Sequence, residues 1–162
     1  MITQFRIATG LLVLTLVMSV GTYLGWWSLF IFIGPYALGH WLAIVAAAYL
    51  VIAVPLYAYL KRTTSVSRAG LVKFHVFSNL LAFLPIAVHF GLHMGRLSDG
   101  PLRLGDGLAG FILILFVVGA GFMLRFGVAA AHRASVRTVH VGSSLSLVVV
   151  IGIHALRNFG LL

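Results

Sequence analysis

Histidine is the residue type whose number and spacing in this chain point to chemistry. Seven histidines occur among 162 residues that are mostly apolar, and an ionisable side chain is costly to keep inside an apolar segment. Four of them form two pairs, His75 with His89 and His140 with His154, and both pairs have a spacing of fourteen residues. Fourteen residues are close to four helical turns, so the members of a pair share one helix face, about 21 Å apart along the axis.

The segments that carry these pairs are apolar enough for a lipid bilayer. Hydrophobic residues make up 62% of the chain, charged residues make up 8%, and the mean hydropathy is +1.14. A soluble domain averages about 25% charged residues. We therefore expect an all-α membrane protein that forms a single transmembrane domain over residues 1–162. Five segments reach the roughly 20 apolar residues that a spanning helix needs, and they cover residues 7–33, 36–60, 71–94, 107–131 and 136–156.

The basic residues predict how these helices are oriented, because Lys and Arg concentrate in cytoplasmic loops. The first segment is longer than the apolar core of a signal peptide, so we expect it to be retained. The favoured orientation has the N-terminus inside and the C-terminus outside. It leaves only Arg96, Arg103 and Arg157 on the outer side. The inner side then holds Arg6, Lys61, Arg62, Arg68, Lys73, Arg125, Arg133 and Arg137. The expected location is the cytoplasmic membrane, in several passes. Because the basic residues lie between apolar runs, the net charge of +9 does not predict nucleic-acid binding.

In this orientation the third and fifth predicted helices are parallel. His75 can then face His140 near the inner surface, while His89 faces His154 near the outer surface. Two facing imidazoles, with four further ligands from a flat macrocycle, are a ligand set of haem iron. The chain has no Cys, which excludes covalent haem attachment and thiolate metal sites. The sequence therefore predicts two haem b groups in a helical bundle, with a haem-binding core over residues 71–157.

Basic residues lie within one turn of three of these ligands. Lys73 and Arg137 precede the two inner histidines, and Arg157 follows His154. Each of the three is predicted to pair with a haem propionate at its own surface. Arg125, near the inner end of the fourth helix, either contacts the inner propionate or extends its side chain to the membrane surface.

Two further histidines are candidates for the outer site. His93 lies one turn beyond His89 on the same face and could replace it as the ligand. Its spacing of 18 residues from His75 does not match the fifth helix, however, so His89 is preferred. Otherwise His93 contacts a propionate or a quinone, or it lies at the membrane interface. His40, at the start of the second helix, likewise either contacts a quinone or a propionate or lies at the membrane interface.

The spacing resembles that of membrane di-haem b-type cytochromes, both the cytochrome b of quinol-oxidising complexes and the ferric-reductase-like transmembrane domain. In both, two histidines about 14 residues apart on one helix pair with two on the next-but-one helix. The resemblance covers His75 to His154. It departs from the families in two ways, since no quinol-site loop motif is present and we expect no flavin or nicotinamide domain after the fifth helix. It implies an electron-transfer subunit rather than a complete enzyme, with other redox subunits or a quinone as partners.

Two other functions remain open. The first is a transporter that uses histidines as proton or metal sites, but proton-coupled carriers usually hold a carboxylate within the membrane. The only two acids, Asp99 and Asp106, are both predicted in the outer loop between the third and fourth helices. The second is a structural membrane subunit without haem, whose histidines would tolerate replacement without the loss of any cofactor.

Overall fold

The computed structural model describes residues 1–27, 31–63, 65, 67–95 and 105–162. Its main elements are five helices, each long and apolar enough to cross a membrane. This result confirms the prediction of a helical, multi-pass membrane protein. Arg96, Asp99 and Arg103, which the sequence places on the outer side, lie outside the described residues. The helices are α1 (Ile2–Tyr23), α2 (Leu38–Thr63), α3 (Arg68–Met94), α4 (Gly105–Phe126) and α5 (Arg133–Asn158).

Helix α1 is shorter at its C-terminal end than the sequence predicted. It ends at Tyr23 instead of near residue 33, because Gly25 adopts a left-handed φ of 72°. The amide groups of Gly25 and Trp26 then donate to carbonyls of the last helical turn, which is the Schellman type of helix end. The apolar run continues beyond this end into a short antiparallel hairpin, in which β1 (Phe32–Ile33) pairs with β2 (Tyr36–Ala37).

The other helix bounds differ by a few residues from those predicted. Helix α4 ends at Phe126 instead of residue 131, because Gly127 also has a φ of 72°. A short 3₁₀ turn (Ala130–His132) then leads directly into α5. Helix α3 begins at Arg68 instead of residue 71, since the Ser67 side chain caps it by accepting a hydrogen bond from the Gly70 amide at 3.2 Å. Glycine and serine residues therefore determine where these helices begin and end, and hydropathy alone does not show these positions.

The chain divides into two compact units, Met1–Leu102 and Arg103–Leu162, and each is described by itself. In the first unit α3 packs against both α1 and α2. Helix α1 approaches α3 closely at Gly91, where an added Cβ would collide with the backbone oxygen of Ser19. The Ser19 hydroxyl also donates to the Ala87 carbonyl oxygen at 2.8 Å. Small residues thus allow these two helices to approach closely, as is common within membranes.

The second unit is an antiparallel pair formed by α4 and α5. Gly107, at the start of α4, lies beside His154 near the end of α5, and Gly121 lies beside His140. Large apolar side chains such as Leu145 and Val149 remain exposed on this unit, as lipid-facing positions would be. The prediction that the whole chain forms one transmembrane domain stays a prediction.

Candidate functional site

The histidines of α3 lie on the face that packs against α2. The His75 ring stacks on Tyr57 of α2, with ring centroids 4.2 Å apart and an angle of 23° between the planes. One turn further along α3, the side-chain amide nitrogen of Asn79 lies 3.1 Å from His75 Nδ1. The amide oxygen of Asn79 is buried and has no hydrogen-bond partner among the described residues. An amide NH₂ can only donate, so in this arrangement Nδ1 of a neutral His75 ring accepts and the proton is on Nε2.

Near the other end of α3, His89 and His93 meet His40 from the start of α2; we call these three residues the histidine cluster. Their ring centroids are 4.5 to 4.9 Å apart, and Nε2 of His93 lies 3.2 Å from Nε2 of His40. One ligand nitrogen from each ring can be chosen so that all three lie within 4.8 Å of one another. Three imidazoles in this arrangement can hold a divalent transition metal, as in catalytic zinc sites.

Sequence reasoning did not predict the histidine cluster as a single site. It treated His93 as an alternative to His89, and it gave His40 either a quinone or propionate contact or a position at the membrane interface. A signal was nevertheless available, because consecutive helices joined by a short turn are antiparallel neighbours. The start of α2 therefore lies beside the end of α3. The spacing within α3 placed His89 and His93 on one face correctly, but it could not show what that face packs against.

In the second unit, His140 of α5 is half-buried and lies against α4. Its Nδ1 is 3.0 Å from the carbonyl oxygen of Val117. A carbonyl can only accept a hydrogen bond, so Nδ1 carries the proton and the lone pair of the neutral ring is on Nε2. Gly121 provides the space for this ring, since a Cβ there would lie 3.1 Å from His140 Cε1. This tautomer, with an acceptor at the second nitrogen, is the usual state of a metal-ligating histidine.

His154 lies fourteen residues further along α5 and has a similar environment, but its hydrogen-bond acceptor is charged. Its Nδ1 lies 3.3 Å from Oδ1 of Asp106, and Oδ2 of the same carboxylate lies 3.4 Å from Nη1 of Arg157. The ring lies over Gly107, at 3.4 Å from the position of an added Cβ. The sequence predicted Asp106 in a loop, and this was wrong, because the residue belongs to the first turn of α4.

The glycines of α4 have the same spacing as the histidines of α5. Gly107 and Gly121 are fourteen residues apart, as are His154 and His140. Because the helices are antiparallel, each glycine meets one histidine. Two equivalent positions thus repeat along this helix pair. Each combines an imidazole, a glycine that leaves space for it, and an acceptor for the Nδ1 proton.

The predicted propionate partners occupy different environments. Arg125 lies one turn beyond Gly121 on the same face of α4, and Arg137 is exposed near the start of α5. Arg157 contacts Asp106. Lys73 is about 200° around α3 from His75, and it lines a groove with Ile7 of α1. The first three therefore lie beside the histidines of the second unit, whereas Lys73 lies on the opposite face of α3 from its predicted neighbour.

The fold defines the class as a helical, multi-pass membrane protein, with histidines on α2, α3 and α5. The chain matches no family model, no curated protein and no solved structure. The predicted pairs, His75 with His140 and His89 with His154, would each join one unit to the other, and they stay predictions.

Proposed function

We propose that this protein transfers electrons across the membrane through two b-type haem groups, as the cytochrome b subunit of a larger redox complex. One haem is held by His75 and His140, and the other by His89 and His154. The observation that carries the proposal is the repeated arrangement on α5. Both of its histidines have Nδ1 beside an acceptor of α4 and a ring that lies over a glycine.

The donor set of α5 fits a haem. A neutral imidazole that donates from Nδ1 presents the Nε2 lone pair in a fixed direction, which is what a histidine that binds haem iron would need. A haem held by these histidines would supply one-electron chemistry between the ferric and ferrous states. The helices that carry the ligands are apolar enough to span a membrane, where the surrounding lipid would limit the access of water. Arg125 and Arg137, which lie within a turn or so of Gly121 and His140, supply positive charge for the carboxylates of one haem.

The proposal makes a specific demand on the first unit. His89 lies against His40, with ring centroids 4.7 Å apart. For His89 to bind a haem, its ring contact with His40 must open. His40 is then a neighbour of the site and not one of its ligands. Electrons enter and leave through other subunits or a quinone, and the lipid bilayer of the cytoplasmic membrane surrounds the helices.

Haem counting in single-histidine variants tests the pairing. His75→Ala and His140→Ala are expected to lose the same haem, identified by its optical band and its midpoint potential. His89→Ala and His154→Ala are expected to lose the other. His132→Ala is the matched control, because His132 is exposed in the 3₁₀ turn before α5, and it should retain both haems. The pairing is wrong if the two members of a predicted pair affect different haems.

The histidine cluster supports a second candidate function, the binding of a transition-metal ion without haem. In this case the ligands are His40, His89 and His93, which already lie together within one unit. Zinc, nickel or copper bound by the purified protein, counted by elemental analysis, would then be lost in His40→Ala and His93→Ala. Haem counting in His40→Ala and His154→Ala decides between the two functions, because the haem assignment expects His40→Ala to retain two haems and His154→Ala to lose one.

A further inference from the structure

Asp106 is the only acidic residue in the described part of the chain, and it lies within a helix that is apolar enough to span a membrane. Its side chain is only 22% exposed. An ionised group at such a position is costly unless it has partners. Asp106 has three: Oδ1 accepts from the Gly107 amide at 3.1 Å and lies 3.3 Å from His154 Nδ1, while Oδ2 faces Arg157.

The carboxylate determines which nitrogen of His154 carries the proton. An ionised carboxylate can only accept hydrogen bonds, so the neutral ring must carry its proton on Nδ1. The side-chain amide nitrogen of Asn158 lies 3.4 Å from both ring nitrogens. Because an amide NH₂ donates, a hydrogen bond from Asn158 to Nδ1 would instead favour the tautomer with the proton on Nε2. Asp106 is therefore the group that keeps the lone pair of His154 on Nε2.

The two histidines of α5 differ in the charge of their acceptors. His140 donates to the neutral carbonyl of Val117, whereas His154 donates to a carboxylate. A hydrogen bond to a charged acceptor is stronger, and it makes the imidazole more basic. In a haem bound there, a more basic histidine ligand would stabilise ferric iron over ferrous iron, as would a nearby negative charge.

We propose that Asp106 is a positioning residue that fixes the Nδ1–H tautomer of His154 and lowers the reduction potential of the haem that His154 holds. The second part of this statement rests on the proposed function. Arg157 acts in the opposite direction, because its positive charge offsets that of the carboxylate. Asp106 thus lowers the potential of the His154 haem relative to that of the His140 haem, and Arg157 limits the difference.

The tautomer is measured first, in haem-free protein labelled with ¹³C and ¹⁵N at histidine. The His154 signal is assigned by its disappearance in His154→Gln. Wild-type protein should show the Nδ1–H tautomer. In Asp106→Ala the ring should change to Nε2–H, because Asn158 then provides the neighbouring polar group. Asp106→Asn should retain the wild-type tautomer, since its amide oxygen can still accept. An unchanged His154 spectrum in Asp106→Ala would overturn the proposal.

The potential is measured next, by redox titration of the haem-loaded protein. In Asp106→Asn, the ferrous-to-ferric ratio of the His154 haem should rise about tenfold at the wild-type midpoint, which is about 59 mV for one electron. Arg157→Gln should lower the ratio, and the double variant should return towards wild type. Haem content should stay at two throughout, and the potential of the His140 haem should not move.

These outcomes separate this inference from the proposed function. Two haems with an unchanged potential in Asp106→Asn overturn the redox role of Asp106 and leave the cytochrome function intact. Shifts of the same sign in Asp106→Asn and Arg157→Gln also overturn it, because they indicate distortion and not charge. A wild-type protein that binds no haem overturns the proposed function and the redox role together, whereas the tautomer measurement still decides whether Asp106 positions His154.

Discussion

Gly121 offers a test of the α5 histidine positions through a change of one methyl group. In Gly121→Ala the new Cβ would lie 3.1 Å from His140 Cε1 and 3.4 Å from its Nδ1. Gly119, two residues earlier on α4, is the matched control, because an added Cβ there meets no described atom within 4 Å. Both substitutions replace a helical glycine by alanine and share the same gain in helix propensity, about 1 kcal/mol. The difference between them therefore isolates the contact with His140.

The expected size of the effect follows from the two distances. Carbon atoms in ordinary contact are about 3.5–4.0 Å apart, so the His140 ring must move by about 0.4 Å or more. The hydrogen bond from His140 Nδ1 to the Val117 oxygen is 3.0 Å long. A ring movement of that size away from the oxygen would lengthen this bond to the limit of hydrogen-bond geometry. Overpacking costs about 1–3 kcal/mol. Gly121→Ala should thus be less stable than Gly119→Ala by about that amount.

The assay has two readouts. Thermal unfolding in detergent, followed by circular dichroism, should rank Gly119→Ala above wild type and Gly121→Ala below Gly119→Ala. Titration with haemin should show about tenfold weaker binding at one of two sites in Gly121→Ala, the usual scale when the surroundings of a ligating histidine are disturbed. Gly107→Ala, whose Cβ would lie at an ordinary 3.4 Å from His154, should bind haem as wild type does. Equal stability and equal haem binding in Gly119→Ala and Gly121→Ala would refute this reasoning.

Three further predictions concern the first unit. Gly91→Ala should destabilise it by about 1–3 kcal/mol, because the new Cβ collides with the Ser19 carbonyl oxygen; thermal unfolding tests this, and full wild-type stability would contradict the close α1–α3 approach. Ser67→Ala should cost about 0.5–2 kcal/mol, with faster amide exchange in the first turn of α3; unchanged exchange would show that the cap contributes nothing. Gly25→Ala should cost about 1–2 kcal/mol, because its φ of 72° disfavours a side chain, and a gain in unfolding temperature would count against the left-handed helix end.

The number of helices could be predicted from composition, but their ends could not. Apolar runs longer than 20 residues identify spanning segments whatever their exact conformation. The ends of α1 and α4 depend on Gly25 and Gly127, which adopt a left-handed φ. Each glycine lies inside a run that hydropathy treats as continuous, so the predicted helices extended past them. The local signal was present, since glycine just after a helix is a common terminator.

For the candidate site, the spacing of the histidines predicted which of them share a helix face, but it could not predict which residues of other helices that face contacts. Fourteen residues place His140 and His154 on one face of α5, and the structure shows that this face meets glycines of α4. The contact of Asp106 with His154 joins residues 48 positions apart, and the two glycines that flank Asp106 made it resemble a turn. The histidine cluster likewise depends on how α2 packs against α3, which periodicity along one helix does not encode.

The central claim is that the purified protein binds two b-type haems. The most direct measurement is a dithionite-reduced minus oxidised optical spectrum, with haem counted per chain as the pyridine haemochrome, on protein made with adequate haem supply. The proposed function predicts a b-type spectrum and two haems per chain. Folded protein that contains no haem under these conditions would contradict it and would leave the transition-metal function of the histidine cluster as the candidate to test.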